Sequence, residues 1–503
     1  MSFLDWFRGR QPQSSKRRWR RHGRRGYDSA ATGYRTDGWV TSGHDANTEI
    51  GSALRIARNR SRDAYRNQPF YLGAVDKFTD KVVGTGIRPI VDTGDAELDK
   101  KAMRLWERWG RQCYPGSRAN IYALESMLCR TAAMSGEVLA RRRWRAMDSM
   151  PGLPPIQVQV FEGDQLDDSL TEERGGNKII QGVEFNAAGQ RRFYHMWRDH
   201  PGGGLLIGSH ILEQSRVPAR DMLMLMWELR PGQVRGLPPM QALIPGLHDL
   251  SGYMDAERYR AKGAASTMAF VSGGNPEEGY PDGVDGIAPA VDPDAGDLVE
   301  DGDGNPIEQL RPGWIAYLPE GKQITFNSAG APANVDGYVR VQLHEMAAGS
   351  PLSYPTMTGD LSNVNFSSIK FGLTEQNAAV RAFREQVFIP LALEPIWQWF
   401  VEAAIAAGLL PNNAELFYPT WSRPQVESAD RLNEAKADQL ELRNGLASRP
   451  GLLRARGADP ETINREIAED KAARAEFGIV IDGDPSQVTT AGGLQPEQDA
   501  SAE

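Results

Sequence analysis

The chain contains residue types that bind phosphates or catalyse hydrolysis, but not in the spacing that either chemistry needs. A phosphate-binding loop requires early glycines and a Lys followed by Ser or Thr, and Gly321-Lys322-Gln323 has neither feature. His344-Glu345 begins like a zinc-protease helix, but position 348 is Ala rather than His. Ser135 lies in Met-Ser-Gly-Glu, which is not a nucleophile elbow. We therefore predict no enzymatic activity, no catalytic residue and no cofactor.

The seven histidines are scattered, and only His195, Asp199 and His200 form a local cluster. Histidine and carboxylate side chains together can bind a transition metal. A surface loop beside a strand explains the same cluster, and we favour it over a metal site.

Residues 1–46 are predicted to be a flexible basic arm, because few apolar side chains are present to offset the entropy of ordering. Its basic residues are Lys16, Arg17, Arg18, Arg20, Arg21, Arg24 and Arg25. Such a run releases counterions from double-stranded DNA, although a disordered or targeting tail has the same composition. If copies of the chain assembled into a ring, their arms would converge, and multivalency would then favour contact with DNA.

A second segment has the opposite charge. Residues 271–310 contain no Lys or Arg, within a chain of net charge −9. The segment is either a generic solvated loop, which the sequence slightly favours, or a surface that repels DNA phosphates and docks a basic partner.

Length and composition predict a loop-rich α+β protein. The chain has 503 residues, enough for two to four domains, with 52 glycines and 32 prolines. Cys113 and Cys129 are the only cysteines and match no zinc or disulfide spacing, so we expect a reducing compartment. No stretch is long and apolar enough for a membrane span or a signal core, which predicts a cytosolic product without membrane contact.

Periodicity divides the first half of the chain into helices followed by strands. Pro69 separates two predicted helices, the second of which ends at Gly84, and further helices are expected at 101–109 and 120–134. Short apolar or alternating runs then predict one antiparallel or mixed sheet packed on these helices. The runs are 137–142, 156–161, 179–185, 192–197 and 222–227.

The second half is predicted to be mainly helical. Residues 240–269 favour a helix of about 25 residues, roughly 37 Å long. The other expected elements are a strand pair at 314–318 and 323–326, a short helix at 337–348, a loop at 354–368, a long helix at 369–407 interrupted at Pro390, and helical sequence at 426–477.

Five ordered segments resemble the lambda-type portal proteins of tailed bacteriophages. They are Arg60-Ser-Arg-Asp-Ala-Tyr-Arg-Asn-Gln-Pro69, Val82-Val-Gly-Thr-Gly-Ile-Arg-Pro89, Phe161-Glu-Gly-Asp-Gln-Leu-Asp167, Arg230-Pro-Gly-Gln-Val-Arg-Gly236 and Thr358-Gly-Asp-Leu-Ser-Asn-Val-Asn-Phe-Ser-Ser368. The resemblance spans residues 50 to about 470, and it departs from the family mainly in the arm, the acidic segment and the tail.

The resemblance implies a portal fold with an α/β wing, long stem helices, a small α/β clip and an α-helical crown, assembled as a ring. The implied parts are the basic arm 1–46, wing 47–236, stem helix 237–269, clip with acidic excursion 270–334, second stem helix 335–349, tunnel loop 350–365, long helix 366–400, crown 401–480 and flexible tail 481–503.

The function that the resemblance implies is a dodecameric head-to-tail connector at one capsid vertex. Double-stranded DNA would be packaged through it by the terminase large subunit and later ejected. The other implied partners are the major capsid protein, the scaffold and the head-completion or adaptor proteins. The protein would lie in the virion, and in the host cytoplasm during assembly.

Candidate site residues follow from this implied architecture. Asn363, Asn365 and Lys370 either face DNA in the tunnel or serve only as turn and helix-surface residues. The candidates for partner docking are Glu277, Glu278, Asp282 and Asp285. Trp397, Trp399 and Phe400 belong to the core or to a subunit interface, and we favour the core.

Two other functions remain open at this point. One is a hydrolase, either a nuclease or a protease, with a nucleic-acid-binding arm, which only the size and the α+β layout support. The other is a monomeric or dimeric DNA-binding scaffold. Nuclease and protease assays separate the first alternative from a portal, and the mass of the native assembly separates the second.

Overall fold

The computed structural model describes residues 30, 34–116, 119–203, 213–265, 269–272, 315–318, 335–362, 365–424, 431–456 and 460–477. The chain divides into two compact units, residues 1–45 and 46–503. In the first unit, Tyr34–Thr36 form a short 3₁₀ helix. The basic run at 16–25 lies outside the described residues.

The second unit begins with two helices that meet at a proline. Helix α1 is Ala46–Asn67 and helix α2 is Pro69–Val83. Pro69 is the first residue of α2, where its missing N–H costs no hydrogen bond. Gly84 ends α2 with a φ of 57°. The predicted division and end of these helices are confirmed.

Two further helices follow the short strand β1, Pro89–Val91. Helix α3 is Ala96–Gly110, and its first amides at Glu97 and Leu98 donate to the Asp95 side chain. Helix α4 is Ile121–Ser135, with Asn120 as its N-cap. The carboxylate and amide oxygens satisfy amides that have no partner within the helix, which explains why α3 begins earlier than its apolar pattern.

The predicted single sheet is wrong, because the strands form two sheets. In the first, β2 (Glu137–Trp144) lies between β3 (Ile156–Glu162) and β9 (Met222–Met226). The second is an antiparallel meander of five strands, β4 (Glu172–Arg174), β5 (Asn177–Ile180), β6 (Val183–Phe185), β7 (Arg191–Trp197) and β8 (Gln214–Pro218).

Strand β9 explains the division into two sheets. All five of its residues are buried. Leu223 and Leu225 pack in the core formed with the helices, whereas Met222, Met224 and Met226 pack against apolar residues of the five-stranded sheet. Since successive side chains of a strand point to opposite faces, β9 contributes to both layers.

The predicted long helix is present as α5, Leu243–Ala265. Beyond it, β10 (Ala269–Ser272) pairs in parallel with β11 (Ile315–Leu318). Residues 323–326, the expected partner of β11, lie outside the described residues. Helix α6, Val335–Ala348, packs on α5, with the rings of Tyr253 and Tyr338 4.7 Å apart.

The predicted loop at 354–368 is partly helical. Tyr354–Thr358 form the short helix α7, and residues 366–368 already belong to α8, Phe366–Phe383. Pro355 fits the first turn of α7, and Gly359 ends that helix in the left-handed conformation.

The interruption expected at Pro390 is a π-helix, Arg384–Leu393, which is followed by α9, Glu394–Ala406. Trp397, Trp399 and Phe400 of α9 are 0–5% exposed. The ring of Phe400 lies 5.1 Å from that of Trp106 in α3. The prediction that these aromatic residues belong to the core is confirmed.

The chain after α9 first pairs with the strand β1 and then forms exposed helices. Strand β12, Pro419–Trp421, pairs antiparallel with β1. Helices α10 (Arg431–Arg443), α11 (Arg449–Ala455) and α12 (Pro460–Phe477) follow. Among the described residues, none of the helices is long and apolar enough to cross a membrane.

Candidate functional site

The segment Arg230–Gly236 is held by a buried ion network centred on Glu137, the first residue of β2. Arg58 of α1 donates to Glu137 Oε1 at 2.6 Å. Arg235 donates from Nε to both carboxylate oxygens, at 2.9 and 3.1 Å. The backbone N–H of Gly236 donates to Oε2 at 2.8 Å. The Arg58, Glu137 and Arg235 side chains are at most 1% exposed.

Arg235 also bonds Glu137 Oε1 through Nη2, and further N–H groups of its guanidinium donate to backbone carbonyls. Its Nη1 donates to the carbonyl of Gln181 at 3.1 Å and its Nη2 to that of Gly163 at 2.8 Å. A buried ion pair is tolerated only when its remaining donors and acceptors are satisfied. The guanidinium therefore fixes the segment before α5 against both sheets.

Two glycines allow this segment to approach β2 closely. A Cβ atom on Gly236 would lie 2.2 Å from the carbonyl oxygen of Gly136. A Cβ on Gly136, whose φ is +87°, would lie 2.3 Å from the carbonyl carbon of Leu237. Both neighbours are backbone atoms that cannot rotate away, so glycine is required at each position.

The beginning of α1 holds the same segment from another side. The Asn47 side chain donates to the carbonyl of Gly232 and accepts from the N–H of Val234, both at 2.9 Å. Arg230 forms an ion pair with Glu49 at 2.6 Å. Residues 230–236 are thus a firmly held connection between the three-stranded sheet and the long helix α5.

A second segment, residues 353–365, overlaps one of the runs that resemble the portal family and is anchored to α2 and α8. Lys77 Nζ donates to the carbonyl of Thr356 at 2.6 Å. The N–H of Ser353 donates to Gln376 Oε1 at 3.1 Å. The Tyr354 hydroxyl donates to Asp360 at 3.0 Å, and hydrogen bonds from Ser362 are the main reason that the pKa of Asp360 is lowered to about 2.

The structure places two of the three tunnel candidates. Asn365 is the N-cap of α8, and its side-chain oxygen accepts from the N–H of Ser368 at 2.8 Å. Lys370 is exposed on α8, and its ammonium has no partner within the described residues. Asn363 lies outside the described residues, as do the basic residues 16–25 and the acidic candidates Glu277, Glu278, Asp282 and Asp285.

The expectation of one surface cluster at 195–200 is wrong for His195. This residue lies in β7, is 4% exposed and bonds Glu184 through Nε2 at 2.9 Å. Two hydrogen bonds from Arg216 are the main reason that the pKa of Glu184 is lowered to about 2. His200 instead lies 3.2 Å from an oxygen of Glu162. Tyr194, His195 and Met196 are all buried, so β7 is covered on both faces at this point and does not show the alternation of a strand with one solvated face.

Glu162, Asp164 and His200 form the nearest arrangement to a metal site among the described residues, with ligand atoms within 4.8 Å of one another. Arg62 already lies between the two carboxylates, 2.8 Å from Glu162 and 2.5 Å from Asp164. The guanidinium therefore supplies the positive charge that a metal ion would bring, and the arrangement is an ion pair network.

One buried carboxyl group was missed by the sequence analysis. Glu125 of α4 is fully buried, and one of its oxygens accepts from the N–H of Ile87 at 2.8 Å. Burial is the main reason that its pKa is raised to about 8; the hydrogen bond from Ile87 and the charge of Arg88 oppose the shift, and the negative charge of Glu107 contributes to it. The only sequence signal is its position on the apolar side of α4.

The model of the family described as phage portal protein, lambda family, matches residues 32–384 of this chain. The chain belongs to the lambda family of phage portal proteins. The match includes both the 230–236 and the 353–365 segments of this portal protein. As a portal protein it has a structural rather than an enzymatic role. No curated protein matches it.

Several solved structures have chains similar to this portal protein. A chain of "Virion of native gene transfer agent (GTA) particle" has 15% identity and a TM-score of 0.39, covering 80% of this chain and 94% of its own. A chain of "Neck of native GTA particle computed with C12 symmetry" has 15% identity and a TM-score of 0.40, covering 81% and 94%.

Proposed function

We propose that this portal protein forms a dodecameric ring at one capsid vertex, through which double-stranded DNA is packaged and later ejected. We infer ring formation from the exposed apolar surface of the C-terminal helices. Helix α10 has no buried residue, although it contains large apolar side chains: Leu432 and Leu440 are 68% and 59% exposed. Helices with apolar residues and no packed face need a partner, and the neighbouring subunit is that partner.

In this proposal, residues 47–236 form the wing, and α5 and α6 lie in stem helices at 237–269 and 335–349. Helix α5, at 23 residues, is about 34 Å long, which is a reach that a single compact domain does not require. Residues 270–334 would form the clip, 350–365 the tunnel loop, 366–400 the long helix and 401–480 the crown.

Contact with DNA would be weak and independent of sequence, because tight binding at one place would stop movement of the duplex. Asn363, Asn365 and Lys370 would face DNA in the tunnel, and the seven basic residues of the arm would add contacts outside it. The acidic residues 277–285 would dock a partner such as the terminase large subunit or a head-completion protein. The major capsid protein and the scaffold would surround the ring in the virion.

Electron microscopy and native mass measurement of the purified protein test the ring directly. The expected particle has a central opening wide enough for duplex DNA and a mass of about twelve times 55.5 kDa. Replacing Leu432 and Leu440 by Ser should lower the ring fraction, whereas replacing the exposed Leu416 by Ser is the matched control. Particles without a central opening under several salt conditions would refute the proposal.

A further inference from the structure

Three arginines lie at alternate positions on one side of strand β2 and its continuation. Arg141 and Arg143 belong to β2, and Arg145 continues the pairing through its N–H, which donates to the carbonyl of Pro155 at 2.8 Å. Alternate residues of a strand point to the same face and lie about 6.6–6.8 Å apart. These residues, the arginine ladder, span roughly 13 Å.

The face that carries the ladder is covered at one end only. Leu139, two residues before the ladder, packs in the cluster shared with the five-stranded sheet. Strand β9 pairs with β2 only as far as Arg141, opposite Met222. Arg141 and Arg143 are half-buried, and Arg145 is exposed. The ladder therefore runs from the covered end of the sheet toward solvent.

Neutral side chains orient the guanidinium groups. Arg143 Nε donates to Gln159 Oε1 at 2.8 Å, and Arg145 Nε donates to Gln157 Oε1 at 2.7 Å. These bonds fix each guanidinium by its Nε and leave the two Nη groups for another acceptor. Such a fork suits bidentate contact with phosphate or carboxylate oxygens.

The ladder has no carboxylate of its own among the described residues. Asp221 contributes to the charge environment of Arg141, but its carboxylate is bonded to Arg142, on the other face, at 2.7 Å. The buried Nε of Arg141 has no hydrogen-bond partner. Burial is the main reason that the pKa values of Arg141 and Arg143 are lowered, and the charges of neighbouring arginines lower that of Arg143 further.

We propose that the arginine ladder binds the phosphate backbone of double-stranded DNA without sequence specificity, as a contact surface separate from the arm and the tunnel segment. Duplex DNA offers one negative charge per roughly 1.7 Å of its axis, so a 13 Å row of guanidinium forks meets phosphates in any register. The ladder and its glutamines present donors to the backbone and contain no carboxylate that would repel it. The choice of DNA over an acidic protein rests on the proposed function.

The test uses the full-length chain with the seven basic residues of the arm changed to Gln, so that the arm does not mask the ladder. Arg141→Gln, Arg143→Gln and Arg145→Gln are added together, and binding of a short mixed-sequence duplex is measured by fluorescence anisotropy between about 50 and 200 mM salt. Loss of three phosphate contacts should lower the slope of log affinity against log salt by about 2.7, so the parent should lose about 40-fold more affinity over this range than the variant.

The matched control changes three scattered, exposed arginines, Arg60, Arg104 and Arg192, to Gln. It removes the same charge and should leave the slope nearly unchanged. If the triple ladder variant fails to fold, the single variant Arg143→Gln should still lower the slope by about 0.9.

Equal slopes for the ladder and control variants would overturn the proposal, since general electrostatics would then explain the binding. A ladder variant that loses affinity for polyaspartate at least as strongly as for DNA would also overturn it, in favour of an acidic protein partner. Electron microscopy of the same samples shows separately whether rings form, so failure of the ladder and failure of the portal ring remain distinguishable.

Discussion

The Glu137 carboxylate and the Arg235 guanidinium form an ion pair in which neither side chain is exposed to solvent. Glu137 begins β2, and Arg235 precedes the long helix α5, so the pair joins two elements that are 98 residues apart in sequence. Arg58 of α1 donates to the same carboxylate. One carboxyl group thus holds three parts of the proposed wing together.

Replacing Glu137 by Gln should strongly destabilise the fold. The change leaves the Arg235 guanidinium buried without its counter-charge and leaves Arg58 with only Asp164, 3.3 Å away. Breaking a buried pair in this way costs about 3–5 kcal/mol. Chemical denaturation followed by tryptophan fluorescence measures the loss. The exposed pair of Arg55 and Asp168 provides the control, because Asp168→Asn should cost about 1 kcal/mol or less. Similar losses in both variants would contradict the central role of Glu137.

Replacing Gly136 by Ala should lower the stability of the fold by more than the cost of placing an alanine in the left-handed conformation. Its Cβ would lie 2.3 Å from the backbone of Leu237. Gly94 has a similar φ of +81° but open space around it, so Gly94→Ala isolates the conformational cost of about 1–2 kcal/mol. The difference between the two thermal midpoints measures the steric contribution. Equal midpoints for the two variants would show that the backbone at Leu237 can move away from the added methyl group.

The buried carboxyl group of Glu125 should make stability depend on pH. Its pKa is about 8 in the folded chain against an ordinary value of 4.5, so the folded state holds the proton over this interval. Stability should therefore fall as pH rises from about 4.5 to 8, by on the order of 1 kcal/mol per pH unit, and then level off. Glu125→Gln should remove this dependence.

Denaturation of the two proteins between pH 5 and about 9 tests this expectation, with the difference between them as the measured quantity. Glu184→Gln is a useful contrast when the measurement is extended below pH 5, because the pKa of Glu184 is lowered to about 2. The contribution of Glu184 should be present above pH 4.5 and lost as pH falls toward 2. Parallel pH profiles for wild type and Glu125→Gln would show that Glu125 is ionised in the fold.

Replacing Lys77 by Met should loosen α7 without unfolding the protein. The Lys77 ammonium donates to the carbonyl of Thr356 from the neighbouring α2, and a hydrogen bond from a charged group contributes about 1.5–3 kcal/mol. Amide hydrogen exchange at Met357 and Gly359 should accelerate on the order of tenfold. Lys100→Met, which removes a surface pair with Glu97, should leave these amides unchanged.

Local signals predicted the helices well, because their ends depend on nearby residues. Pro69, Gly84 and Asn120 each determine a helix boundary through their own chemistry, and the structure has those boundaries. Helix α7 was missed because it has only five residues, too few for a periodic pattern. The two sheets were merged because the sequence Met222–Met226 is apolar throughout, which conceals that its two faces pack against different layers.

The candidate site was only partly predictable for a related reason. The run at 230–236 is conspicuous in sequence, but its buried partner Glu137 is not, because an acidic residue at the beginning of a strand is usually solvated. Arg58 is similarly hidden among the other arginines of α1. Their ion network depends on chain segments separated by 79 and 98 residues, and a single sequence does not reveal such pairing.

The π-helix at Arg384–Leu393 has a mechanical consequence. Its wide turns accommodate Pro390, and they determine in which direction the aromatic side of α9 faces relative to α8. Because a π-helix joins residues i and i+5 by hydrogen bonds, where an α-helix joins i and i+4, the interval holds more residues per turn than the helices on either side. The interval therefore determines how α9 is rotated relative to α8, and with it the contacts of Trp397 and Phe400 with Trp106.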